Sequence, residues 1–107
     1  TPQWTIGKNF DGTGGFGPVL VTADELAPGA TGLRIQSRLN GNVMQDANTS
    51  DMIFPVDETI MLLAQCMTLE PGDLILCGTS VGIGSMKPGS RVSVEIEGIG
   101  SLDNTVV

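Results

Sequence analysis

From Leu33 to Leu39 apolar and polar residues alternate, with Leu33, Ile35 and Ser37 set against Arg34, Gln36 and Arg38, the period-two signature of a half-buried strand. Asn40-Gly41 comes next, the pair that a tight type I′ turn favours because both residues accept a positive φ. Asn42-Val43-Met44-Gln45-Asp46 is therefore expected to return as the hairpin partner. Between Val56 and Met67 the period changes. Ile60, Leu63, Ala64 and Met67 stand at i, i+3, i+4 and i+7, with Asp57 and Glu58 near the amino end of a helix dipole, which predicts one amphipathic helix. Glu70-Pro71-Gly72-Asp73 ends it in a turn, and Leu74-Ile75-Leu76-Cys77 is a continuous apolar run of the kind found in buried strands. Arg91 to Glu97 alternates again, with Val92, Val94 and Ile96 inward, and Gly98-Ile99-Gly100 leads to a closing strand over Leu102–Val107. Nearer the start, Val19-Leu20-Val21-Thr22 reads as a short strand followed by one turn at Ala23-Asp24-Glu25-Leu26. The fold class is mostly β with one helix (α+β), without internal repeats or linkers.

Two glycine-rich stretches interrupt this pattern. Five of the 15 glycines fall between Gly7 and Gly17, too many for a helix, so the stretch is expected to be an irregular loop whose backbone comes close to another group. Gly78-Thr79-Ser80-Val81-Gly82-Ile83-Gly84 is the second such loop, directly after the apolar run.

Composition narrows the chemistry. A chain of 107 residues, 40% of them apolar, suits one small domain with a packed core. Twelve acidic residues against five basic ones give a net charge of −7, which repels phosphate backbones and argues against nucleic acid as a partner. No apolar run approaches the roughly 18 residues of a membrane span and no signal peptide is evident, so a soluble, cytoplasmic protein is expected. Histidine and tyrosine are absent, which removes any Ser–His–Asp or Cys–His machinery and any His-ligated metal from this chain. Cys66 and Cys77 each sit in an apolar run and are expected to be reduced, buried thiols.

Several motifs are decoys. Gly78-x-Ser80-x-Gly82 has the spacing of a nucleophile elbow, but no histidine is present to act as base and Pro88-Gly89 arrives before a helix can grow. The same loop lacks the third glycine of a dinucleotide fingerprint. Glu95 and Glu97 share one face of a strand, opposite Val92, Val94 and Ile96, and are expected to be solvated charges rather than metal ligands. Lys8 stands out as a lone cation in a glycine-rich loop of an acidic chain, suited to stabilising an anion that develops on a substrate oxygen; an ordinary surface lysine is the equal alternative. Thr79, with the backbone N–H groups around Gly78, is suited to gripping a carboxylate.

Four blocks of sequence, taken together, resemble the fumarylacetoacetate hydrolase family: Trp4-Thr5-Ile6-Gly7-Lys8-Asn9-Phe10-Asp11 with Gly17-Pro18; Asn48-Thr49-Ser50-Asp51-Met52-Ile53-Phe54; Met67 to Thr79; and Val94-Glu95-Ile96-Glu97-Gly98-Ile99-Gly100. Their order and spacing match across almost the whole chain. The resemblance implies a mixed β-sandwich roll, a homodimer, and action on 2-oxo acids or acylpyruvates through a divalent ion, Mg²⁺ or alternatively Mn²⁺ or Ca²⁺. It implies that residues 1–107 are the C-terminal portion of a single catalytic domain. By position, Lys8 matches the family's active-site lysine, and Gly78 and Thr79 match the turn that holds the substrate carboxylate. The family's metal ligands, a Glu-x-Glu pair and an aspartate, lie upstream of the lysine block, so no metal ligand is assigned in this chain. Two departures are visible: Ser80 stands where proline is usual, and Gly12 lengthens the loop after Asp11.

The chemistry implied by the resemblance is an enolate stabilised by a chelated ion, with Lys8 beside the oxygen and Thr79 at the far end. Carbon–carbon bond hydrolysis in the breakdown of aromatic or dicarboxylic compounds is the leading expectation. Isomerase or tautomerase activity and oxaloacetate-type decarboxylation are alternatives, as is an inactive piece or binding module lacking the metal.

Overall fold

The computed structural model describes residues 2–107. Its frame is one antiparallel sheet built from β1 (Arg34–Leu39), β2 (Asn42–Asn48), β3 (Arg91–Ile96) and β4 (Gly100–Thr105), in the order β2-β1-β3-β4. The predicted hairpin is present. Asn40 at φ 50° and Gly41 at φ 85° make the turn, and Leu39 pairs with Asn42. The last two strands also pair as a hairpin, joined through Gly98 at φ 77°, and β4 starts two residues before the predicted Leu102 and ends at Thr105.

The first hairpin carries one feature that its residue pattern does not predict. Arg38 faces Val43 but Ser37 faces Gln45, so Met44 is an extra residue on β2, a β-bulge. Beyond the bulge Gln45 lies on the same face as Ser37, Val94 and Leu102, because directly paired residues share a face. The other face carries Arg34, Gln36, Arg38, Asp46, Glu95 and Asp103.

Of the two α-helices among the described residues, one precedes the strands in sequence and the other lies between β2 and β3. The helix α1 (Trp4–Lys8) is a single exposed turn that carries Gly7 and Lys8, so the helix-free glycine stretch begins only at Asn9, whose side-chain amide donates to the Thr5 carbonyl at 2.7 Å and closes the turn. The helix α2 (Val56–Cys66) agrees with the predicted bounds to within one residue. Its half-buried positions are Val56, Thr59 and Leu63; of the predicted stripe, Leu63 is half-buried while Ile60, Ala64 and Met67 remain exposed. No helix among the described residues is long and apolar enough to cross a membrane.

Three expectations are corrected. No apolar side chain is buried among the described residues, so the packed core is absent. A single four-stranded sheet has no second layer to bury against. The radius of gyration of 15.0 Å, against about 13 Å for a compact domain of this length, reflects that open form. Val19–Thr22 and Leu74–Cys77 are not strands: neither finds a partner edge, and Leu76 is 93% exposed. Cys66 and Cys77 are free, as expected, but exposed rather than buried, since the helix end and the unpaired run that carry them are uncovered.

Candidate active site

Residues 78–84 form a loop that docks on the bulge. Gly78 at φ 120° adopts a backbone conformation that a side chain would strain, and it sets Thr79 and Ser80 over β2. There the Gln45 side-chain amide donates to the Thr79 hydroxyl oxygen at 2.8 Å and to the Ser80 carbonyl at 2.8 Å. Ser37, across on β1, donates its own hydroxyl to Gln45 Oε1 at 2.8 Å. Three residues after Thr79, Gly82 at φ 106° lies so close to the bulge that a Cβ would overlap the Met44 carbonyl oxygen. A cleft of about 170 Å³ opens here, lined in part by Ser37, Leu39, Met44, Gln45, Gly82 and Met86.

Thr79 and Gly78 thus stand in a built turn, with Thr79 exposed and part of its hydrogen-bonding capacity already used by Gln45. Lys8 is placed elsewhere. Its ammonium lies 6.0 Å from the Trp4 ring centroid, a cation–π distance, and no hydrogen bond or ion pair joins it to the Thr79 turn among the described residues. The loop that comes after Lys8 does reach the same sheet face. A Cβ on Gly15 would meet the Asn104 side chain at 2.6 Å, and Asn104 pairs with Val92 on the face that carries Gln45. The two loops are therefore anchored at opposite edges of one surface, three strand spacings or roughly 14 Å apart.

The opposite face is an ion-pair ladder. Arg34 binds Asp46 with both arms, Nε to Oδ1 at 2.9 Å and Nη2 to Oδ2 at 2.5 Å, while the buried Gln36 adds a bond to Asp46 Oδ2 at 2.8 Å. These donors, Arg34 first and Gln36 second, hold the Asp46 carboxyl down at about 2. Arg38 reaches Glu95 at 2.8 Å, and Glu97 accepts the Arg34 backbone N–H at 3.1 Å. Ser93 and Arg91 converge on Asp103 and lower its carboxyl, the Ser93 hydrogen bond contributing most.

These placements bear on a divalent ion. Glu95 and Glu97 are exposed, as expected of solvated charges, and are also taken up by Arg38 and Arg34 on the face away from Thr79. Among the described residues no three acidic or thiol groups converge as metal ligands. The residues present do not fit a divalent-ion site. Ser80, the elbow decoy, has its hydroxyl 3.4 Å from the Val81 carbonyl, and the sequence holds no histidine to act as its base.

Sequence patterning misses Gln45 and Ser37. Counting from a two-residue turn without a bulge pairs Ser37 with Met44 and turns Gln45 to the charged face; only the extra residue brings it under Thr79.

Comparison with known proteins matches the whole chain, residues 1–107, to the family model described as "Fumarylacetoacetate (FAA) hydrolase C-terminal". The mitochondrial oxaloacetate tautomerase of Bos taurus is 44% identical over 98% of this chain and 35% of its own length. The solved structure of fumarylacetoacetate hydrolase from Exiguobacterium antarcticum superposes with a TM-score of 0.88 at 38% identity, covering 94% of this chain and 38% of that one. Maleylpyruvate hydrolase from Sphingobium sp., in complex with manganese(II) and pyruvate, gives a TM-score of 0.80 at 35% identity over 85% of this chain and 34% of its own. The chain thus spans little more than a third of the length of these relatives.

Proposed function

Because this chain belongs to the fumarylacetoacetate hydrolase family, we propose that it is the C-terminal portion of a catalytic domain that binds a 2-oxo acid or acylpyruvate and hydrolyses a carbon–carbon bond through an enolate. The observation that carries this proposal is the Thr79 hydroxyl, held from below by Gln45 at 2.8 Å and open to solvent above. A hydroxyl in that position, beside the backbone left accessible at Gly78, suits the carboxylate end of such a substrate. In this reading Lys8, at the end of α1 and ahead of the loop whose Gly15 reaches the same sheet face, supplies positive charge for the keto oxygen that becomes negative.

The proposal places the sheet described here in a larger mixed β-sandwich roll, in a cytoplasmic homodimer. In this reading a divalent ion, Mg²⁺ or Mn²⁺, would be held by carboxylates outside the residues described here. What this chain contributes is the grip on the carboxylate and a compensating cation. A second activity, keto–enol tautomerisation of oxaloacetate, is favoured by one specific observation, the 44% identity to the bovine tautomerase.

The test is turnover by the protein that carries this chain, with acylpyruvates and oxaloacetate as substrates, in Mn²⁺ or Mg²⁺ and again in chelator. Release of pyruvate together with a carboxylic acid from an acylpyruvate, stopping in chelator, supports hydrolysis. Interconversion of oxaloacetate tautomers without cleavage moves the assignment to the second activity, and no action on either substrate class removes both.

A further inference from the structure

The amide of Gln45 has only one orientation that satisfies its neighbours. The Ser80 carbonyl can accept but not donate, so the NH₂ end must face the loop, and the Oε1 end then meets the Ser37 hydroxyl, which donates to it at 2.8 Å. Both amide protons are thereby committed, one to Ser80 and one to Thr79. A threonine hydroxyl has a single proton and two lone pairs. With one lone pair of Thr79 accepting from Gln45, its own proton is left to point away from the sheet, toward solvent.

We propose that Gln45, oriented by Ser37, is a positioning residue that fixes the Thr79 hydroxyl as a hydrogen-bond donor toward a ligand carboxylate. The assignment rests on the carboxylate-binding role proposed for Thr79 and adds what makes that hydroxyl fit for an anion. A hydroxyl free to rotate presents a lone pair as readily as a proton; one that already accepts from an amide presents its proton. The Met44 bulge makes the arrangement available, because it alone turns Gln45 to the face where the loop docks, and Gly82 lets the loop come close enough to be reached.

The test compares Gln45→Leu, Gln45→Glu and Ser37→Ala in the protein that carries this chain, using pyruvate with Mn²⁺ as the probe and reading its dissociation constant from pH 5.5 to 8. Gln45→Leu is expected to weaken pyruvate about tenfold at every pH. Gln45→Glu keeps the size of the side chain, yet its ionised carboxylate accepts the Thr79 proton, so it is expected to bind worse than Gln45→Leu at pH 8. Facing the Ser80 carbonyl raises the pKa of the introduced carboxyl, which becomes a donor again once protonated, so pyruvate binding by Gln45→Glu recovers as the pH falls. Ser37→Ala is expected to lie between wild type and Gln45→Leu.

Equal losses in the Leu and Glu variants with no pH recovery would assign Gln45 a packing role and overturn the proposal. Wild-type binding retained in both variants would overturn it as well. Wild-type protein that binds no pyruvate instead overturns the carboxylate-binding role of Thr79, and with it the donor role assigned through Gln45.

Discussion

The side-chain amide of Gln45 donates to the hydroxyl of Thr79 at 2.8 Å and so ties the middle of a hairpin to a glycine-bounded turn 34 residues later in the chain. Replacing that hydroxyl with a methyl group tests the turn directly. Thr79→Val is expected to weaken binding of a 2-oxo acid by about 1.5–3 kcal/mol, the worth of a hydrogen bond to a charged group, or roughly 10- to 100-fold in the dissociation constant. The exposed site lets water replace the lost partner of Gln45, so the unfolding midpoint should barely move. Calorimetric titration with pyruvate alongside a denaturant melt separates the two effects.

Lys8→Ala is expected to lower kcat by about 10²-fold or more if the ammonium meets a developing oxyanion, with little change in stability because Lys8 is exposed on a single helical turn. Steady-state kinetics with an acylpyruvate, read with the thermal midpoint, check this. An unchanged kcat leaves Lys8 as the cation stacked over Trp4 and nothing more.

Gly82→Ala is expected to displace the 78–84 loop from the bulge. The added methyl would overlap the Met44 carbonyl oxygen, and φ 106° strains any residue with a Cβ. A cost on the order of 1–3 kcal/mol is expected, drawn from backbone strain and overpacking. Pyruvate binding should weaken with it; a variant as stable as wild type that binds pyruvate equally well contradicts the close approach.

The charged face gives a pH-dependent prediction. Arg34 and Gln36 hold the Asp46 carboxyl at about 2 against an ordinary value of 3.8. A depressed carboxyl lends its stability fully above the ordinary value and loses it as the pH falls toward about 2. NMR titration of the Asp46 carboxyl should therefore show a low midpoint that rises toward 3.8 in Arg34→Ala. A midpoint that stays put in that variant would assign the depression to Gln36.

Elements whose order is local are legible in the residues. Asn40-Gly41 encodes its turn through two positive φ angles, and the 3.6-residue period of Val56–Cys66 encodes a helix, because neither depends on distant partners. Leu74–Cys77 misleads for the converse reason. An apolar run becomes a strand only when an edge is available to pair with it, and its hydrophobicity carries no word about that edge. The core expectation and the burial of Cys66 and Cys77 fail on the same point, since apolar content does not say which surface covers it. At the candidate site, Thr79 and Gly78 are visible as a threonine in a glycine turn. Gln45 is not, because one residue of bulge reverses the face on which it stands.

The ion-pair ladder has a bearing on how the strands find one another. Val92, Val94 and Ile96 are similar in size and would tolerate sliding past β1 by two residues, since such a shift keeps them on the same side. Sliding in one direction, however, sets Arg38 directly across from Arg91 in place of Ser93 and separates Arg38 from Glu95. The charges thereby disfavour slippage in that direction, a discrimination that the interchangeable aliphatic side of the sheet has no means to provide.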